Sequence, residues 1–104
     1  MSQTKAQLVS QVSDAQSNTT VGSNAGDSFT GTDATQNTLI GKDAGTAITS
    51  GDQNTAVGSF ALDALTTASY NTAFGRGALS ETTTGTSNTA VGINALIFNT
   101  TASH

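Results

Sequence analysis

The sequence predicts an all-β fold: a parallel β-solenoid, or β-roll, of five coils of about 17 residues, with a short N-terminal helix ahead of it. Three observations predict it. A pentapeptide recurs at fixed spacing, columns of constant residues are locked to that spacing, and the composition is too poor in apolar residues for an ordinary globular core.

The pentapeptides are Asn18-Thr19-Thr20-Val21-Gly22, Asn37-Thr38-Leu39-Ile40-Gly41, Asn54-Thr55-Ala56-Val57-Gly58, Asn71-Thr72-Ala73-Phe74-Gly75 and Asn88-Thr89-Ala90-Val91-Gly92, spaced 19, 17, 17 and 17 residues apart. Unit position eight is alanine throughout (Ala25, Ala44, Ala61, Ala78, Ala95), and position thirteen is threonine throughout (Thr30, Thr49, Thr66, Thr83, Thr100). Position nine is Gly26, Gly45, Leu62, Leu79 and Leu96. The period is too short for a helical hairpin but fits one solenoid coil of short strands joined by tight turns. With strands about 4.8 Å apart, five coils make a rod roughly 24 Å long. The two-residue excess in the first unit falls around Gly31 to Thr35, where a turn absorbs it. The chain therefore divides into residues 1–17, an N-terminal helical anchor or cap, and residues 18–104, a five-coil repeat domain.

In the N-terminal segment, Thr4 and Gln7 have capping-box spacing, and Leu8, Val9, Val12 and Ala15 share a helical face. A helix of this length is marginal alone. Its stripe is expected to cap the open first coil, form a three-stranded coiled coil or insert into a larger assembly, with Leu8, Val9 and Val12 as docking residues. In the repeat, Asn18, Asn37, Asn54, Asn71 and Asn88 are expected to form a ladder of stacked amides. Gly22, Gly41, Gly58, Gly75 and Gly92 mark a sharp corner or a positive φ, and the position-eight alanines a tight interior.

Position four (Val21, Ile40, Val57, Phe74, Val91) is expected to fill the coil interior. Its neighbour at position three then points the other way. A narrow coil cannot cover both of its own faces. The outer face, carrying Leu39, Ala56, Ala73 and Ala90, is accordingly expected to meet other chains, with three copies around an axis. Ile97 and Phe98, in the most apolar tripeptide of the chain, are expected to form a trimer plug or a contact surface.

Only 35% of residues are apolar and 10% charged, a balance that without periodicity would suit a disordered chain. With a formal charge of −4 and only Lys5, Lys42 and Arg76 to neutralise phosphates, nucleic acid is not an expected partner, nor is membrane insertion. The lack of cysteine rules out disulfides and thiolate metal sites. The single histidine is His104, the acids Asp14, Asp27, Asp33, Asp43, Asp52, Asp63 and Glu81 are scattered over variable positions, and Asp27, Asp43 and Asp63 do not share one column, so no catalytic residue, metal site or cofactor is expected. A minor expectation is that the threonine column forms an ice-binding face.

The unit Asn-Thr-Ala-Val-Gly-x-x-Ala-Leu, best seen at 54–62, 71–79 and 88–96, resembles repeats in tail fibres and other virion-surface proteins of bacteriophages. It is also similar to the head repeats of trimeric autotransporter adhesins, which stack as a left-handed parallel β-roll in a three-chain rod. The resemblance spans about 87 of the 104 residues. It implies a homotrimeric, non-enzymatic structural protein at the virion surface. A capsid decoration (cement) protein or a short fibre segment is expected, docking through its N-terminal region on major capsid or tail proteins. The seventeen-residue unit and the lack of a visible signal peptide, stalk or membrane anchor depart from the adhesin pattern. The alternative is a host-surface adhesin, on a phage tail or a bacterial cell surface, whose turns around 42–43, 59–60, 76–77 and 93–94 contact a receptor.

Overall fold

The computed structural model describes residues 14–97 and 99–103. The expected N-terminal helix with Leu8, Val9 and Val12 lies outside the described residues, as do Phe98 and His104. Five three-residue strands, β1 (Thr19–Val21), β2 (Thr38–Ile40), β3 (Thr55–Val57), β4 (Thr72–Phe74) and β5 (Thr89–Val91), form one parallel sheet in the order β1-β2-β3-β4-β5. Each strand residue pairs with its counterpart one unit on, as Thr38 with Thr55 and Leu39 with Ala56, so the sequence period is the register of the sheet. The molecule is a β-solenoid of stacked coils, and the described residues contain no helix.

The strands are short because left-handed backbone bounds them on both sides. Position five is glycine at φ +120 to +139 in all five coils, and position seventeen, just before the asparagine, is left-handed in Ser17, Gln36, Gln53, Tyr70 and Ser87. At Gly41 the glycine is also a matter of space, since a Cβ there would lie 2.7 Å from the Gly58 carbonyl of the next coil. Overlapping turns then carry the chain round: Ala44 N–H donates to Gly41 O (3.2 Å), Thr46 N–H to Asp43 O (3.3 Å) and Ile48 N–H to Gly45 O (3.1 Å).

Positions seven and nine are left-handed too, including Phe60, Leu62 and Leu79. For a residue with a Cβ this costs about 1–2 kcal/mol. The geometry turns these N–H groups along the rod axis, so that Phe60 N–H reaches Lys42 O (2.9 Å), Leu62 N–H reaches Ala78 O (3.1 Å) and Tyr70 N–H reaches Asp52 O (3.1 Å). Local strain is thus offset by bonds that exist only when coils stack.

The two sides of the strands are the reverse of the sequence expectation. Leu39, Ala56 and Ala73 are fully buried and Ala90 nearly so, whereas Val21, Ile40, Phe74 and Val91 are 44%, 38%, 55% and 72% exposed. Leu39, Ala56, Ala73 and Ala90 are therefore interior residues and not an outer contact face; position four is the outer one. The asparagine at position one sets this polarity. Its side chain turns inward to hydrogen-bond across the coil, and the pleat then sends position three inward and positions two and four outward.

Interior volume is shared between positions three, nine and twelve. Coil 2 (37–53) fills its interior with Leu39 and Ile48 around Gly45, where a Cβ would stand 2.7 Å from Leu39 Cδ2. Coils 3 (54–70) and 4 (71–87) have alanine at position three and bring the leucine from position nine, as Leu62 and Leu79. The packing partner at position twelve falls from Leu65 to Thr82, whose hydroxyl finds Asn99 O at 2.5 Å. Ala44, Ala61 and Ala78 are fully buried, as a tight interior demands.

Candidate functional site

Two features stand out from the packing: the asparagine ladder with its two unlike ends, and the apolar column on the outer face of the sheet.

The ladder is continuous. Asn37 Oδ1 accepts both the backbone N–H of Asn54 (2.9 Å) and its Nδ2 (3.1 Å), and Asn54 Oδ1 does the same for Asn71 (2.9 and 3.3 Å). Each Nδ2 also donates across its coil to the carbonyl of position fifteen, from Asn18 to Ala34 (2.7 Å), Asn37 to Gly51 (2.8 Å), Asn54 to Ala68 (2.9 Å), Asn71 to Gly85 (2.8 Å) and Asn88 to Ala102 (2.7 Å). One side chain therefore closes its coil and joins it to the next. The amides are buried and leave no buried side-chain nitrogen or oxygen unpaired among the described residues.

Ahead of the first asparagine, Asp14 occupies the place of a rung. Asp14 Oδ1 accepts the Asn18 N–H (2.9 Å), Oδ2 accepts Asn18 Nδ2 (3.0 Å), and the Asp14 N–H donates to Asn18 O (3.0 Å). Within the stack that last bond is made by the threonine of the preceding coil, as Thr38 N–H makes it to Asn54 O (2.8 Å). Burial pushes the Asp14 carboxyl up, but hydrogen bonds from the Asn18 amide, the Asn18 N–H and the Gln16 N–H outweigh it and hold the group below the ordinary carboxylate range. In the sequence Asp14 reads as one scattered acid; only the register identifies it.

A second polar ladder also escapes a reading by residue type, because its column mixes chemistries. At position sixteen the Thr35 N–H donates to Asp52 Oδ1 (2.8 Å), the Asp52 N–H to Ser69 Oγ (2.9 Å) and the Thr86 N–H to Ser103 Oγ (3.0 Å). What unites Thr35, Asp52, Ser69, Thr86 and Ser103 is a short side-chain oxygen.

The outer face of the sheet carries the threonines of position two beside Val21, Ile40, Val57, Phe74 and Val91, with no charge in either column. The neighbouring turn edge gathers Lys42 and Arg76 over the Phe60 ring, at 5.0 and 5.8 Å from its centroid. Hydrogen bonds from Lys42 Nζ (2.7 Å) and then from Asn24 hold Asp43 below its ordinary range. Asp63 is raised, first by burial, then by the negative charges of Glu81 and Asp43, against a backbone hydrogen bond that lowers it.

Of the expected contact residues outside the strands, Ile97 lies in the last turn of coil 5 (88–104), half-buried. The expected turns at 42–43, 59–60, 76–77 and 93–94 are unevenly presented: Lys42, Arg76, Ile93 and Asn94 are exposed, but Gly77 is buried. In the threonine column, Thr49 and Thr83 direct their hydroxyls to the carbonyls of Thr66 and Thr100, both at 3.3 Å. No group of three or more His, Cys, Asp or Glu residues is placed to hold a metal ion, and no pocket indents the surface, among the described residues. No protein-family model, curated protein or solved structure matches the chain.

Proposed function

We propose that the chain is a non-enzymatic structural subunit of a phage virion surface, a homotrimeric capsid decoration protein or short fibre segment that docks through residues 1–17. The observation that carries this reading is the outer column of Val21, Ile40, Val57, Phe74 and Val91, a regular apolar ridge on an uncharged sheet face. Fully burying one such side chain is worth about 1.5–3 kcal/mol, and because these are already partly covered, association gains roughly half of that from each. A ridge of five, one per coil, is a strong drive to association, and three identical ridges around an axis satisfy it with a single type of contact.

The test is attachment. A variant lacking residues 1–13, which keeps Asp14, keeps the self-association of the full chain and loses co-purification with virus particles. Many copies per shell identify a decoration protein, and a few at the tail identify a fibre. A full chain that purifies with no particle contradicts the virion reading.

A second reading, a host-surface adhesin, is favoured by Phe60 lying between Lys42 and Arg76 on the turn edge of an otherwise acidic molecule. In that case K42A/R76A loses cell binding with no change in mass.

A further inference from the structure

The two ends of the rod are unlike, and they are complementary. Among the described residues nothing donates to Asn88 Oδ1, and the N–H groups of Thr89, Leu96 and Thr100 and the carbonyls of Val91 and Ile93 have no partner in a further coil, although their counterparts in coils 2 to 4 all do. Leu96 is half exposed there, whereas Leu62 and Leu79 in the same column are fully buried.

The opposite face, that of coil 1 (18–36), offers the reverse set. Gly22 N–H and Asn24 N–H stand where Gly41 N–H and Asp43 N–H bond back to Val21 O (2.7 Å) and Ser23 O (2.8 Å). Ala25 O stands where Ala44 O receives the Gly26 N–H (3.1 Å). In the register the stack already uses, these would meet Val91 O, Ile93 O and Leu96 N–H of a second copy. Among the described residues, the remaining pairs, Asn18 N–H and Nδ2 with Asn88 Oδ1, and Asn18 O with Thr89 N–H, are blocked by Asp14, which holds all three Asn18 groups; Asp14 Oδ1 also accepts the N–H of Gln16 (3.0 Å), whose carbonyl takes the Gln36 N–H (3.1 Å) that would meet Ser103 O.

We propose that the open face of coil 5 is a docking surface for the coil 1 face of a second copy of this chain, and that Asp14 is the displaceable cap that keeps the two apart. The occupant is specified by hydrogen-bond register: a partner must present two donors and one acceptor from one asparagine, two further N–H groups and a carbonyl at the spacing of one coil. Coil 1 carries that set, and the bonds it would form are those that already join every pair of coils. The proposal concerns the rod ends and is independent of the trimer ridge.

The test compares full-length D14A, D14N and D14A/L96D with the wild type by sedimentation velocity and small-angle scattering. Asparagine at 14 restores the ladder acceptor, because one Oδ1 accepts both donors at Asn18, Asn37 and Asn54. D14A is expected to at least double its weight-average mass with rising concentration and to lengthen along one axis. D14N and D14A/L96D stay at the wild-type mass, and added wild-type chain shortens the D14A assemblies by occupying their open coil 1 faces. A D14A protein with intact β signal and wild-type mass overturns the proposal, as does equal assembly by D14A/L96D. A D14A protein that fails to fold also overturns it, because Asp14 would then act in folding and not at an end face.

Discussion

Positions three and four of the repeat are adjacent in the chain and opposite in fate. Position three is Ala56, Ala73 and Ala90 in the last three coils and is sealed inside; position four is Val57, Phe74 and Val91 and looks out. The larger, more apolar residue is the exposed one. Size at position three is limited by what position nine delivers into the same narrow space, while position four has no neighbour across the coil to limit it. In a thin solenoid, hydrophobicity by itself does not mark the interior; the side on which the ladder asparagine lies does.

The comparison breaks most severely at the residue that sets the polarity. N54A removes the acceptor for Asn71 N–H and Nδ2 and the donor to Ala68 O, all in buried surroundings. At about 1–3 kcal/mol for each buried group left unpaired, a loss of about 4 kcal/mol is expected in urea unfolding. A smaller effect sharpens the volume argument. A73L forces a second leucine beside Leu79 and should cost about 1–3 kcal/mol, and the double variant A73L/L79G, which copies the Leu39 and Gly45 pair of coil 2, should recover most of it in the same titration. If both variants lose equally, the shared-volume account fails.

Charge at the buried edge gives the mildest change. The folded protein raises the Asp63 pKa above its value of 3.8 in the free side chain. Its contribution therefore favours folding fully below pH 3.8 and is lost as pH rises through the folded-state value. D63N should raise the melting temperature by a few degrees at neutral pH and leave it unchanged at pH 3. Asp14 and Asp43 are lowered and act in the opposite sense, favouring folding above 3.8 and losing that contribution in stronger acid. D63N without effect at neutral pH would show that neither burial nor the Glu81 and Asp43 charges penalise the Asp63 carboxylate in solution.

The coil count, the parallel register, the asparagine ladder and the glycine corner were legible in the sequence because each rests on one residue type repeated at one spacing. The inward side of the strand was not. Alternation gives two opposite faces but not which is which, and the small residues at position three look like surface until Leu62 and Leu79 are seen to fill the space from position nine. The left-handed backbone at positions seven and nine is marked by Asn24, Asp43, Gly77 and Asn94 and by Gly26 and Gly45, but not at Phe60, Leu62 and Leu79, where bonds to neighbouring coils stabilise it in place of local preference. Asp14 and the position-sixteen oxygens were invisible for a related reason: their role belongs to a place in the register that several residue types can fill.

Sedimentation equilibrium of the wild-type chain beside F74D tests the outward ridge most directly. If position four is the seam between chains, the wild type has three times the 10.3 kDa chain mass. F74D, altered at an exposed site that contributes little to the single coil stack, then has the mass of one chain with an unchanged β spectrum. A wild-type protein of single-chain mass, or an F74D protein that remains a trimer, would contradict it.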